Sequence, residues 1–299
     1  MILYLSDGKQ IRGDLLKSAV LRSDLAPVPL TLEAEIRSGD EVFDPQLEEG
    51  KTLGLATGEK LYIVKSTRVT APLAQGGRPY DGFRVTAILE NCLKVAYVRE
   101  RAIVKENASL SAIYRAAGAS IPGIAGDFPV KRFTCLVGDT PTFHIARILQ
   151  EEGGVVRWKR NRLEFLSLMA LQQQDAGRTI PGNASSATNG GFLERHQVPS
   201  FYSLDDAGAF VQGNRAKPRA AAFSPFKNAI QLRSMTRCLV TKMNARIAYD
   251  QRLCAGDVVR FTTGEKYIIV TAAHVFESGT DDGGAGEEYS RLWLGEVEE

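Results

Sequence analysis

The chain has 299 residues, 44% hydrophobic and 24% charged, with a formal net charge of +2. That balance suits a globular protein of two or three domains and excludes a disordered chain or a disulfide scaffold. No run approaches the ~18–20 apolar residues of a membrane helix, residues 1–17 lack the apolar core of a secretory leader, and near-neutral charge speaks against dedicated or sequence-specific nucleic-acid binding.

The first hundred residues read as β structure. Leu30–Ile36 alternates apolar and polar side chains, the period-two signature of a strand with one buried face, and Phe83–Ala87 repeats it. Leu61–Val64 follows the turn residues Thr57-Gly58-Glu59, which predicts a hairpin, and Gly76-Gly77-Arg78-Pro79 predicts a loop. Near residue 98 the pattern changes. Leu110, Ile113, Tyr114 and Ala117 share one helical stripe that Gly118 would stop. A second helix starts at Asp139 or Thr140 with Pro141 in its first turn, carries Phe143, Ala146 and Leu149 on one face, and ends at Gly153-Gly154. Val155–Lys159 and Arg162–Leu168 read as two strands around an Arg160-Asn161 turn. Residues 98–170 carry 11 basic and 7 acidic side chains, which reads first as a solvated surface and second as a face for an acidic partner.

Residues 172–191, QQQDAGRTIPGNASSATNGG, are too polar to bury much surface and read as a linker or long loop; a second loop is expected from Gly213 to Ala222. The β pattern returns at Cys238–Val240, Asp257–Phe261 and Tyr267–Val270. The last 23 residues hold eight acidic side chains and one arginine, and predict an exposed loop, a short strand at Leu292–Leu294 and a frayed end.

Candidate chemistry is sparse. Cys92, Cys135, Cys238 and Cys254 lie at least sixteen residues apart in apolar contexts, so they form no CxxC pair and read as buried thiols. His144, His196 and His274 are isolated, which disfavours a histidine-based metal site. The run Ile269–His274 resembles the catalytic-histidine segment of chymotrypsin-like proteases, but only 25 residues follow it, and Asp282 stands where a nucleophilic serine is wanted. His274 therefore reads as a strand-end residue. Neither a GxGxxG nor a GxxxxGK[ST] loop is present, so no catalytic, cofactor-binding or metal residues are assigned and no cofactor or enzymatic activity is expected.

The most informative feature is a duplication. Residues 43–64, FDPQLEEGKTLGLATGEKLYIV, align without a gap on residues 249–270, YDQRLCAGDVVRFTTGEKYIIV, at a constant offset of 206 with nine of 22 positions identical. A shared Thr-Gly-Glu-Lys turn arises by chance more readily than a shared turn, both flanking strands and the preceding Asp-x-x-Leu-x-x-Gly. The period is too long for a solenoid and implies two copies of one β domain. The fold class expected is α+β, mainly β, with two similar small β-barrel domains bracketing an α/β insertion: 1–97 the first barrel, 98–171 the insertion, 172–191 the linker, and 192–299 the second barrel with an acidic end. Three such chains can close into a ring of six similar units, matching a hexameric partner on one face and a trimeric one on the other.

Two β domains around an α/β insertion resemble the central baseplate hub protein of contractile-tailed phages, a family related to phage late-control tail proteins and to the hub region of type VI secretion spike proteins. The resemblance rests on 43–64 with 249–270 and on the helix-then-hairpin run from Gly138-Asp139-Thr140-Pro141-Thr142-Phe143 to Leu168. It implies tube-like barrels and a homotrimer that adapts the hexameric tail tube to the trimeric spike and lines the central channel for DNA ejection. It also implies contacts to tape-measure and wedge proteins, and a virion location after assembly in the host cytoplasm. The chain stops soon after its second β domain, without spike repeats, which points to a phage or tailocin hub whose spike is a separate polypeptide. Two alternatives remain open: another tail component, such as a tube-initiating or distal tail protein, and a glycan- or peptidoglycan-binding module using Trp158, Tyr114 and Phe165 as stacking residues. Core packing is the plainer reading of those rings.

Overall fold

The computed structural model describes residues 1–71, 80–182, 185–187, 198–205, 207–213, 220–279 and 286–298. The chain opens with β1 (Leu3–Tyr4), β2 (Leu16–Asp24), β3 (Leu30–Arg37), β4 (Thr52–Leu55), β5 (Lys60–Ala71) and β6 (Tyr80–Leu89). The middle holds β7 (Ile103–Ser109), α1 (Leu110–Ala116), β8 (Ile124–Ala125), β9 (Pro129–Cys135), α2 (Pro141–Glu151), β10 (Gly154–Lys159), β11 (Arg162–Ser167) and α3 (Leu168–Gln173). Five short strands and a helix follow: β12 (Arg178–Ile180), β13 (Ser185–Ala187), β14 (Ser200–Leu204), β15 (Phe210–Gln212), β16 (Ala221–Phe223) and α4 (Ala229–Met235). The chain finishes with β17 (Cys238–Ala248), β18 (Val258–Phe261), β19 (Lys266–Glu277) and β20 (Glu287–Glu298).

The duplicated segments fold alike in detail. In the first half the strands pair in the order β4-β5-β6-β3-β2, and in the second half β18-β19-β20-β17-β13. β18 and β19 begin and end 206 residues after β4 and β5. Both hairpins carry a bulge at the same place, between Ile63 and Lys65 and between Ile269 and Thr271. The turns match as well: Gly58 and Gly264 sit at φ 97° and 107°, and Gly50 and Gly256 at 91° and 83°, all values that favour glycine. Their N–H groups donate to equivalent carbonyls, Gly50 to Ile63 and Gly256 to Ile269 at 3.0 and 2.8 Å. A bulge and two left-handed glycines recurring at one offset are a common backbone plan rather than a shared turn motif.

The two halves do not stand apart. β2 pairs antiparallel with β19 from Ser18 opposite Glu277 to Asp24 opposite Thr271, so a single 12-stranded sheet runs through the chain. Neither half closes into a barrel among the described residues; each is an open sheet that continues into the other. Core side chains line one face: Leu32, Ile36, Leu61, Ile63 and Val85 in the first half, Ile269, Ala272, Leu292 and Leu294 in the second, all fully buried. Each large aliphatic one contributes roughly 1.5–3 kcal/mol by leaving water.

Between the halves, α1 and α2 pack against two smaller sheets, β7-β9 and β10-β11-β8. The α1 stripe is as expected: Leu110, Ile113, Tyr114 and Ala117 are buried, Ser109 caps the helix through the Ala112 N–H, and Gly118 follows at φ 96°. The β10–β11 hairpin turns through Arg160 and Asn161, both at positive φ, which is the twist a two-residue hairpin requires. One apolar core runs from the first half into this module without interruption. α4 rests on α2 rather than on the large sheet, with Gln150 Nε2 donating to the Met235 carbonyl at 3.4 Å.

Several expectations need correction. On α2 the buried stripe is Ile145, Ile148 and Leu149; Phe143 is 69% exposed and Ala146 faces solvent, because the isoleucines one position round the helix offer the larger aliphatic surface to β10. Thr140 is the N-cap without a side-chain bond, since Asp139 instead accepts from the Leu136 N–H. The polar run 172–191 is not a bare linker: α3 ends in it, β12 joins β18 and β13 joins β17, with Ile180 buried. Sheet pairing uses backbone groups, so a polar composition did not prevent it. The acidic end is a twelve-residue strand, β20, lying between β19 and β17 at the centre of the second half, with its glutamates on the rim and ends. Cys92 and Cys135 are buried as expected, but Cys238 and Cys254 are only half-buried. The Gly76–Pro79 loop, His196 and most of the Gly213–Ala222 loop lie outside the described residues.

Candidate functional site

The sheet face opposite the core is a candidate surface. Pairing register sets its rows: Lys65, Thr86, Glu33, Val20, Val275, Tyr289 and Ala248 stand side by side across β5, β6, β3, β2, β19, β20 and β17. Where the halves meet, this face encloses an open hollow of about 540 Å³ between Val20, Arg22 and Glu33 of the first half and Thr271, Arg291 and Trp293 of the second.

Charges on this face are mixed and largely matched. Arg84 reaches Glu35 at 3.2 Å and Lys17 reaches it at 3.0 Å; Arg246 reaches Glu287 at 2.6 Å. Burial pushes the Glu35 carboxyl up, but its bonds from Lys17, Tyr80 and Arg84 outweigh that and hold it below the ordinary glutamate value. Arg291 lies over the Trp293 ring at 5.2 Å and Arg246 over Tyr289 at 3.8 Å. A face whose arginines are occupied by carboxylates and rings offers little net attraction to a phosphate chain.

The junction of the halves is pinned from three sides. Thr271 Oγ1 donates to Asp24 at 2.6 Å, and the Ala255 N–H donates to Ser23 Oγ at 3.1 Å. Arg157 of β10 is buried between the module and the second half: Nε donates to Glu164 at 3.0 Å, and Nη1 to the Gly256 carbonyl at 2.9 Å and to Asp257 at 3.2 Å. Lys159 adds a further bond to Asp257. Trp158 Nε1 reaches Glu59 and Asn161 Nδ2 reaches the Thr57 carbonyl, so the same hairpin also grips the first half. Three of the basic side chains in 98–170, Arg157, Lys159 and Arg162, are therefore spent on Glu164 and Asp257 rather than displayed.

His274 is an interior residue of β19, not a strand-end one, and it meets a serine after all. Its Nδ1 is 2.8 Å from Ser290 Oγ and its Nε2 is 3.0 Å from the Leu253 carbonyl. A carbonyl only accepts, so Nε2 carries the proton and Nδ1 accepts from Ser290, whose oxygen accepts in turn from the Asp250 N–H at 2.9 Å. Burial pushes His274 below its ordinary value, against a smaller opposing effect of the Leu253 carbonyl. Both side chains are buried and their polar atoms are partnered, so the pair is a satisfied core network.

The fold also gathers a trio that sequence spacing did not single out. Cys135, Asp139 and His144, around the turn into α2, hold their ligand atoms within 4.8 Å of one another. His144 Nε2 lies 3.1 Å from Asp139, and the same carboxylate closes the turn on the Leu136 N–H, which gives these residues a structural use. Of the rings considered for sugar stacking, Trp158 and Tyr114 are buried, and Phe165 is half-buried and packs on Phe128 at 4.5 Å.

Among solved structures, the chain is similar to the tail protein from Neisseria meningitidis MC58, with a TM-score of 0.65 and 11% identity over 99% of this chain and 95% of that one. It is similar to the 43 kDa tail protein of prophage MuSo2 from Shewanella oneidensis, at TM-score 0.60 and 13% identity over 98% and 95%. It is also similar to the E. coli c3393 protein, a component of the type VI secretion system with structural similarity to T4 bacteriophage tail proteins gp27 and gp5, at TM-score 0.55 and 9% identity over 95% and 74%. The chain thus has the mainly β fold of phage tail proteins and type VI spike-related proteins, over nearly its whole length. No protein-family model matches the sequence, and no curated protein matches it.

Proposed function

We infer that the chain is the baseplate hub of a contractile phage tail or tailocin: a structural, non-enzymatic virion component that forms a homotrimer between a hexameric tube and a trimeric spike. The observation that carries this reading is the pairing of β2 with β19. It sets two copies of one strand plan side by side in a continuous sheet, so each chain supplies two of six similar units. Four strands of each half form the continuous run, β5-β6-β3-β2 and then β19-β20-β17-β13. Six such halves at about 4.8 Å per strand enclose a ring roughly 37 Å across at the backbone, wider once the strands tilt. A channel lined by the matched-charge face would pass DNA without holding it.

Light scattering of the purified chain at two concentrations, with two-dimensional class averages of the same sample, tests the reading. A mass near three times 32.6 kDa and a threefold ring with six lobes is expected; a monomer or dimer at both concentrations overturns it. The glycan-binding alternative is addressed by Trp158→Ala. With the ring in the core, the variant loses about 3–5 kcal/mol of stability. A variant that stays as stable as the parent but loses binding to peptidoglycan would favour the alternative.

A further inference from the structure

In the middle module, Cys135, Asp139 and His144 bring three different ligand atoms toward one point. Cys135 ends β9 and is buried, Leu136, Val137 and Gly138 form an exposed turn, and the half-buried Asp139 and His144 flank the start of α2. The backbone holds this turn tightly. The Asp139 N–H donates to the Leu136 carbonyl at 3.2 Å across Gly138, whose φ of 87° favours glycine. Arg99 ties both sides, its carbonyl accepting from the Gly138 N–H and its N–H donating to the Asp139 carbonyl, each at 2.9 Å. The His144 ring stands edge-on to Phe133 and Phe143, with centroids at 6.3 and 5.4 Å, which fixes its direction. Its Nε2 and the Leu136 N–H both meet the same Asp139 oxygen, Oδ2, so Oδ1 has no hydrogen-bond partner among the described residues.

We propose that this trio is a divalent metal site, with zinc as the ion its donors suit. A thiolate, an imidazole nitrogen and a carboxylate oxygen are the ligand types zinc takes, and two anionic donors beside a neutral imidazole cancel its charge. The spacing fits. The three ligand atoms lie within 4.8 Å of one another. A tetrahedral ion with bonds of about 2.0–2.3 Å sets its ligands about 3.4–3.6 Å apart, so the trio closes by at most about 1.4 Å on binding. Asp139 is free to bind through Oδ1 while Oδ2 keeps the Leu136 N–H, which holds the ligand in place. Arg99, the cation framing the turn, directs its guanidinium to the Ala117 carbonyl at 3.2 Å rather than to Asp139. Cys254 makes the contrast. Its thiol also meets a carboxylate, Asp257 at 3.3 Å, but that carboxylate is already held by Arg157 and Lys159. On binding, the Cys135 thiol gives its proton to solvent, the three side chains fill three places, and water takes the fourth. The ion staples β9 to α2. The site lies within one chain and does not depend on the hub reading.

Cobalt(II) tests the site, because its spectrum reports both thiolate ligation and tetrahedral geometry. The full chain, reduced and stripped with a chelator, is titrated with cobalt(II) and then with zinc. The expected result is one cobalt per chain, with a near-ultraviolet thiolate-to-cobalt band and strong visible absorption, both discharged by zinc. Cys135→Ser should abolish the near-ultraviolet band. Asp139→Asn, which keeps an acceptor for the Leu136 N–H, and His144→Gln should each weaken binding by more than about tenfold. Cys254→Ser should leave the spectrum unchanged. Far-ultraviolet circular dichroism of the metal-free variants checks their folding; if Cys135→Ser does not fold, the variants at the half-buried Asp139 and His144 carry the test. Absence of the near-ultraviolet band from the parent at excess cobalt overturns the site. So does a band that survives Asp139→Asn and His144→Gln undiminished, or one that is lost in Cys254→Ser instead.

Discussion

Removing the Arg157 guanidinium tests how firmly the middle module holds the second half. Arg157→Met keeps the apolar stem and deletes four contacts to Glu164, Gly256 and Asp257. Stripping one partner from a buried ion pair costs about 3–5 kcal/mol when the other is left alone. Here the orphans are partly covered: Glu164 keeps Arg162 at 3.1 Å, Asp257 keeps Lys159, and the Gly256 carbonyl keeps Gln174 Nε2 at 3.1 Å. The expected loss is therefore smaller, about 2 kcal/mol, with a coupling of about 1 kcal/mol in a double-mutant cycle against Asp257→Asn. Urea unfolding at one fixed protein concentration measures both, since assembly would otherwise add a concentration term. Because the pair is buried, added salt should leave the loss nearly unchanged. A variant within about 0.5 kcal/mol of the parent, or a coupling indistinguishable from zero, would refute the assignment of Arg157 as the bridge.

His274 gives a pH signature. Its folded value lies below the ordinary 6.5, so the unfolded chain binds its proton more readily; its stabilising contribution is complete above about pH 6.5 and is lost as pH falls below that. The stability advantage of the parent over His274→Asn should therefore shrink between about pH 7.5 and pH 5, and an advantage that grows on acidification would contradict the neutral, buried assignment. At Gly82 an added Cβ would meet the Ile36 carbonyl oxygen at 2.6 Å and the Tyr80 hydroxyl at 2.7 Å. Gly82→Ala should cost about 2 kcal/mol in the same unfolding assay, and a neutral result would mean that β3 and β6 are not packed as closely as described. Burial pushes the Cys92 thiol up to about 12, so peptide mass mapping should find it unlabelled by iodoacetamide at mildly alkaline pH until the chain is unfolded. Labelling of native protein at Cys92 would place it nearer the surface.

Local signals carried far. Alternation marked β3 and β6, a two-residue turn marked the β10–β11 hairpin, and the α1 stripe with its glycine stop folded as written. The offset of 206 between two 22-residue segments was legible because a bulge and two left-handed glycines constrain residue type directly. The structure departs from the sequence pattern where two apolar stripes compete or where composition and pairing point different ways. Both the Phe143–Ala146–Leu149 and the Ile145–Ile148–Leu149 stripes of α2 are apolar, and only the position of β10 selects between them. The acidic end looked exposed because its charges lie at the strand ends and rim, while Leu292 and Leu294 point inward.

By itself the amino-acid sequence determined that this protein contains the same β plan twice with an α/β module between, because side-chain periodicity and turn chemistry are local. That the copies fuse through β2 and β19 was decided only in the tertiary structure, as was the capture of a polar run as β12 and β13. Strand edges join through backbone N–H and C=O groups that nearly every residue carries, so no pattern of side chains announces which edge meets which.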